Sequence, residues 1–166
     1  FFHLAATFER TEESYAFYKE NFHNNIKLSN HLLGIIKDLK SIKKIIFASS
    51  YLIYDENLYQ FSKPINKEIK LSEKSNVNPR NLIGMSKLAH ETELKFLSKF
   101  KKKKLSIISA RIFRGYGCNS RDIISRWIRL LQEKKTITLY RKEGRFDFIY
   151  AKDSAEGLIK LAKISN

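Results

Sequence analysis

The segment "KKIIFASS", Lys43 to Ser50, is short, apolar, β-branched at its centre and bounded by polar residues, which reads as a buried strand. Upstream of it runs a long helical stretch from about Glu12 to Asp38, preceded by "FFHLAA", Phe1 to Ala6, a second buried strand. Downstream, the polar segment Tyr54–Asn78 holds Pro64, ends at Pro79 and reads as an excursion over the surface. Helical spacing resumes from about Asn81 to Lys101, with Leu88, Leu94 and Leu97 available for one face. A third strand follows in "KLSIISARIF", Lys104 to Phe113, then a glycine-containing loop, "RGYGCNS", and a helix over about Asp122–Glu133. "TITLY", Thr136 to Tyr140, and "FDFIY", Phe146 to Tyr150, read as short strands, and Ala151–Ile164 as a last helix, with Asp153 expected to cap it or to pair locally.

Strands separated by helices of this length argue for parallel βαβ units and hence a doubly wound α/β sheet. Ligands of such sheets bind at the carboxyl ends of the strands. That places "ASS" at the end of one strand and "RIFRG" at the end of another at the centre of interest.

With 166 residues and 43% apolar content the chain can bury a core, so one domain or a large part of one is expected. Its apolar runs are far shorter than the ~20 residues needed to span a bilayer, and no basic region precedes an apolar stretch at the start. A soluble chain without a membrane partner is expected. Cys118 is the single cysteine, which excludes an internal disulfide framework or a four-cysteine zinc site and fits the reducing cytoplasm. The four histidines share no metal-ligand spacing, so no metal is expected: His23, His31 and His90 fall on helices with polar neighbours, and His3 lies in "HLAA". The formal charge of +15 would suit a polyanion. Its lysines are scattered, however, and only "KFKKKK", Lys99 to Lys104, forms a dense run, at a helix end.

The glycines are Gly34, Gly84, Gly115, Gly117, Gly144 and Gly157, and none forms the phosphate-binding turn G-x-G-x-x-G. A chain that opens in mid-strand is expected to be truncated.

Several stretches together resemble the extended short-chain dehydrogenase/reductase family, in particular its NAD-dependent nucleotide-sugar epimerases and dehydratases. "FFHLAA" resembles a strand end beside the cofactor, and "NNIKLSNHLL" the family's "N…GT.NLL" helix. "KKIIFASSYLIYDE" resembles its serine-bearing strand with a following "VYG", and "NPRNLIGMSKLAHE" its "P…YG.SK…E". "ARIFRGYG" resembles "R.FN.YG", and "RFDFIYAKDSAEGLI" resembles "RDFIYV.D.A.AI". Each motif is loose, but their order and spacing over essentially the whole chain are specific. The resemblance implies a Rossmann-like fold truncated at both ends, with residues 1–117 in the dinucleotide-binding domain and 118–166 opening the substrate-binding region. It implies NAD as cofactor, with NADP the alternative because the residue that reads the ribose would lie upstream. It further implies a nucleotide-sugar substrate, and a homodimer through helices like Glu12–Asp38 and Asn81–Lys101.

The family's chemistry needs a base beside a sugar hydroxyl, so that hydride leaves carbon while the proton leaves oxygen. A tyrosine serves when a lysine four residues later on the same helix face makes its phenol more acidic, and a serine on the preceding strand hydrogen-bonds the reacting oxygen. By position Ser50 matches that serine and Lys87 that lysine, but Ile83 stands where the tyrosine belongs. The only formal tyrosine-to-lysine match at this spacing, Tyr15 to Lys19, lies on the wrong helix. Three explanations stay open. One is kinship with dehydratases that carry methionine there in an "N.MGA.K" context. The second is relocated chemistry through Tyr51, Tyr54 or Lys87 itself, and the third a silent relative that only binds, perhaps RNA through its basic surface.

The resemblance puts His3, Ala5, Ala6, Ser49, Lys87 and Phe113 at the cofactor, and Asn25, Ser50, Tyr51, Arg114 and Arg145 at the substrate. Asn25 matches an asparagine that bonds backbone near the active site, with a polar helix face as the alternative. Arg114 replaces an asparagine that commonly meets the substrate, and its fork could clasp a carboxylate or phosphate, implying a more acidic substrate than a plain hexose nucleotide. A loop-surface arginine is the alternative. Arg145 departs too, because Phe146 separates it from Asp147, where the family's diphosphate-binding arginine directly precedes the aspartate. Tyr54 and Tyr116 occupy "YG" positions and are expected to pack.

Overall fold

A computed structural model describes residues 1–8, 13–100, 105–139 and 144–164, without the side chain of residue 100. Three parallel strands form the main sheet in the order β1-β2-β3: β1 is Phe2–His3, β2 is Lys44–Ser50 and β3 is Ser106–Ile112. Their register sets Phe2 beside Ile46, His3 beside Phe47, and Ser50 beside Ile112. β1 is shorter than the expected Phe1–Ala6 because only Phe2 and His3 find ladder partners on β2.

Both faces of the sheet are covered, as a doubly wound arrangement requires. On one face Ile45 and Phe47 of β2 join Leu33 and Ile36 of helix α2 (Leu28–Ile36) and Leu94 of helix α3 (Leu82–Phe100) in the main core. Alternation along β2 turns Lys44 and Ile46 to the other face. There helix α5 (Ala151–Lys163) packs, and Lys44 Nζ donates to the Ala162 carbonyl at 3.2 Å.

The helical stretch expected over about Glu12–Asp38 begins at Ser14, whose hydroxyl accepts the Phe17 N–H at 3.1 Å, and Glu12 lies outside the described residues. It is continuous but not uniform: α1 (Tyr15–Asn21) passes through a π-helical turn, Phe22–Lys27, into α2. Such turns insert a residue and re-aim the side chains around it, often at functional sites. Here it holds Asn25, buried.

Two expectations at the end of the chain differ. "RGYGCNS" is not all loop, because Arg114–Tyr116 forms β4, which pairs in parallel with β5 (Phe148–Tyr150) as a second, two-stranded sheet. Thr136–Leu139 of "TITLY" finds no ladder partner among the described residues and forms no strand, and Tyr140 lies outside the described residues. Lys101–Lys104 of the lysine run lie outside them as well. Between these elements, α4 (Ile123–Gln132) is capped by Asp122, whose carboxylate accepts the Ser125 N–H at 2.9 Å and the Ser125 hydroxyl at 2.6 Å. Burial pushes that carboxyl up, but the hydrogen bonds from Ser125, Ser120 and the helix backbone outweigh it and leave it at about 2. Asp153 does not cap α5: Tyr150 occupies the cap without a side-chain bond, and Asp153 lies in the first turn.

Among the described residues no helix is long and apolar enough to cross a membrane, and no group of side chains is arranged to hold a metal ion.

Candidate active site

The site grows from the contact between α3 and the end of β2. Asn81 opens α3 by accepting the Gly84 N–H at 2.8 Å, and the Glu13 carboxylate accepts the Leu82 N–H at 2.6 Å. One turn on, Gly84 lets the helix approach the 3-10 turn Tyr51–Ile53 that follows β2: a Cβ there would lie 2.3 Å from the Leu52 carbonyl oxygen. This close approach brings Lys87 against β2. Its Nζ donates to the Ala48 carbonyl at 2.7 Å and lies 4.8 Å from the centre of the Phe47 ring. Burial pushes the ammonium down to about 8.

Ile83 does not face this cation as an open gap. It is buried with Phe17 and Leu52, and Tyr51 and Leu82 pack on the same cluster. The position that would carry a phenol is filled by aliphatic packing. Tyr54 is likewise spent on structure: it is buried, and its hydroxyl accepts from Arg111 at 3.2 Å. Arg111 is held in turn by a two-pronged ion pair to Glu91, at 3.2 Å and 2.9 Å, which ties β3 to α3 and raises the guanidinium's pKa. The sequence displays both residues within its motifs, yet nothing in their spacing announces the pair.

Ser50 ends β2, and its Oγ accepts the Leu52 N–H at 3.2 Å. An oxygen used as an acceptor keeps its own proton for donation. Ser49 is buried, and its hydroxyl has no partner among the described residues; the same holds for the buried Thr7 hydroxyl. A small recess of about 10 Å³ is lined by Ala5, Ala6, Asn25, Phe47, Ser86 and Lys87, so the structure brings together the end of β1 and the lysine. Asn25 holds the first of these in place. Its carbonyl accepts the Thr7 N–H at 2.8 Å, and its amide donates to the Thr7 carbonyl at 3.0 Å and to Asn21 Oδ1 at 2.7 Å. The amide is thereby occupied by protein groups, a positioning task for the loop after β1.

His3 is buried, with Nε2 3.0 Å from the Ser29 hydroxyl and its ring 5.1 Å from that of His90. Burial, then the Lys87 charge, lowers its pKa. His90 is no surface histidine either: it is buried, edge-on to Phe47 at 4.6 Å, and bonded through Nδ1 to Glu93 at 3.0 Å. Burial, then His3 and Lys87, pushes it down to about 4. Its polar helical neighbours hid that burial in the sequence.

On the far side of Ser50, the Tyr51 ring stacks on Phe113 at 5.5 Å and 14°. Arg114, the first residue of β4, sets its guanidinium 3.9 Å from the centre of Phe146 and 6.0 Å from that of Tyr51. Arg145 is exposed and precedes Phe146 in the chain. The structure thus brings Ala5, Ala6, Asn25 and Lys87 together around one recess, and Tyr51, Phe113 and Arg114 together in an aromatic and cationic cluster that adjoins Ser50 in the chain.

Compared with curated protein sequences, the chain has no match. Among solved structures it is similar to a UDP-N-acetylglucosamine 4-epimerase from Methanobrevibacter ruminantium M1 in complex with UDP-N-acetylmuramic acid. The TM-score is 0.81 at 28% identity, over 99% of this chain and 51% of that one. It is also similar to a UDP-glucuronic acid 4-epimerase from Bacillus cereus in complex with UDP-glucuronic acid and NAD, with a TM-score of 0.79 at 25% identity over 99% and 49%. A fold-level likeness extends to an NAD-dependent NDP-hexosamine 5,6-dehydratase involved in tunicamycin biosynthesis, with a TM-score of 0.75 at 22% identity over 98% and 50%. The chain spans about half the length of these structures. The family model described as "NAD dependent epimerase/dehydratase family" matches residues 1–165, and the chain therefore belongs to that family.

Proposed function

We propose that the full-length protein oxidises a carbon of a nucleotide sugar by NAD-dependent hydride transfer, as an epimerase or dehydratase, with its acid-base chemistry moved away from position 83. The observation that carries this reading is Lys87, half-buried, its Nζ held by the Ala48 carbonyl at 2.7 Å beside the Phe47 ring, with burial lowering its pKa to about 8. NAD, when bound, supplies the hydride acceptor. The chain's own groups suit it: the unpaired buried hydroxyls of Thr7 and Ser49 offer hydrogen bonds, and Ala5 and Ala6 leave room beside Lys87. Ser50 donates a hydrogen bond to the reacting sugar oxygen. Lys87, neutral in part near pH 8, accepts the proton that this oxygen loses. Residues 118–166 open the region that holds the sugar, with Arg114 and Arg145 at its rim.

Exposed Tyr15, Tyr18 and Phe22 on the first helical run, with Phe96 on α3, support a homodimer formed through these faces, and the exposed free Cys118 suits a cytoplasmic protein. Isothermal titration of NAD into full-length protein tests the cofactor side: saturable binding weakened at least tenfold by Lys87→Met is expected, and no binding would overturn the proposal. A second reading, a silent binder of RNA, is favoured by the apolar packing of Ile83 and the charge of +15. It predicts RNA affinity that falls steeply with salt in a protein that reduces no cofactor.

A further inference from the structure

Arg114 differs from the other arginine at the end of the sheet. Arg111 donates to Glu91, Tyr54 and a backbone carbonyl. The Arg114 guanidinium makes no hydrogen bond or ion pair among the described residues, although the residue is half-buried. Its plane is nevertheless held, because a guanidinium 3.9 Å from the centre of the Phe146 ring, with Tyr51 beyond, keeps a limited set of orientations while its N–H edge stays available. The strand register says what that edge is near. Ser50 pairs with Ile112, two residues before Arg114, and Tyr51, next after Ser50, stacks on Phe113. The guanidinium therefore stands near Tyr51, the residue that follows Ser50 at the end of β2.

We infer that Arg114 is a specificity-determining residue that clasps a carboxylate on the sugar ring, so that the preferred substrates are nucleotide sugars with an acidic sugar. This rests on the nucleotide-sugar reading above and names the substrate class for the same site. A guanidinium takes a carboxylate through two parallel N–H···O bonds, which a hydroxymethyl group at the same place cannot accept. A diphosphate offers similar oxyanion chemistry, but it belongs to every nucleotide sugar and would confer no preference among them.

The experiment is calorimetric titration of UDP, UDP-glucose and UDP-glucuronate into full-length, NAD-loaded protein and its Arg114→Lys and Arg114→Gln variants. The expected result is a preference of at least tenfold for UDP-glucuronate over UDP-glucose, which Arg114→Lys reduces and Arg114→Gln removes. Equal affinity of the two sugars for the unaltered protein would overturn the inference. So would a parallel loss of both in Arg114→Gln, which would assign the arginine to the diphosphate. Failure of all three ligands to bind would instead overturn the nucleotide-sugar reading, and this inference with it.

Discussion

Ile83 and Lys87 lie one turn apart on α3, but the isoleucine is buried against Phe17 and Leu52 while the lysine crosses Phe47 to the Ala48 carbonyl, 2.7 Å away. A lysine that in related sites tunes a phenol is here kept without one. Its burial then has a direct consequence for stability.

The folded pKa of Lys87, about 8, lies below its ordinary value of 10.5. Between these values the unfolded chain binds more protons than the folded one, so stability rises with pH through that window, and the full penalty applies below pH 8. Lys87→Met should stabilise the protein at pH 7 by roughly 2 kcal/mol, given about 1.4 kcal/mol per pKa unit less the lost hydrogen bond. The gain should vanish towards pH 10.5. Thermal melts of both proteins across pH 7–10.5 check it, and a pH-independent difference would contradict it.

His90 and His3 also have folded pKa values below 6.5, so their stability contribution has the same sign as that of Lys87, in a lower pH window. The unfolded chain binds the extra protons as pH falls below 6.5, so stability should decline from there through about 4. A His90→Phe variant should show a shallower acid limb in urea titrations at pH 4–7.

Restoring the phenol is not a neutral change. Ile83→Tyr adds volume to a filled cluster, and overpacking costs ~1–3 kcal/mol. The variant should melt lower, and Phe17→Ala in the same chain should recover part of the loss by vacating space. Unchanged melting in the single variant would mean that the ring turns out of the cluster towards Lys87. Ile83→Ala, by contrast, should lose ~2–5 kcal/mol of stability yet keep turnover, because the aliphatic side chain moves no proton.

Gly84→Ala tests how the site is spaced. The new Cβ would meet the Leu52 carbonyl oxygen at 2.3 Å, a backbone atom, so α3 must move outward. Loss of several kcal/mol is expected, with weaker NAD binding as Lys87 draws away from β2.

The order of strands and helices was legible because β2 and β3 are continuous apolar runs with polar ends, and Lys44–Ser50 is the strand that "KKIIFASS" describes. β4 was not, because two glycines in "RGYG" mimic a loop and only the ladder with β5 makes Arg114–Tyr116 a strand. "TITLY" failed for the converse reason, since alternation makes a strand only where a ladder forms, and Thr136–Leu139 pair with no strand among the described residues. At the site, motif order pointed to Ser50 and Lys87. The burial of His90, the Arg111–Glu91 pair and the stacking of Arg114 on Phe146 depend on contacts between segments far apart in the chain, which local spacing does not encode.

The most direct test of chemistry without a phenol at position 83 is rapid-mixing absorbance at 340 nm, with full-length, NAD-loaded protein and UDP-glucuronate or UDP-glucose. A transient rise is predicted, larger and faster with UDP-glucuronate, growing with pH through about 8 and abolished in Lys87→Ala. A flat trace from protein shown to hold both ligands, or a rise that survives Lys87→Ala, would contradict the role given to Lys87.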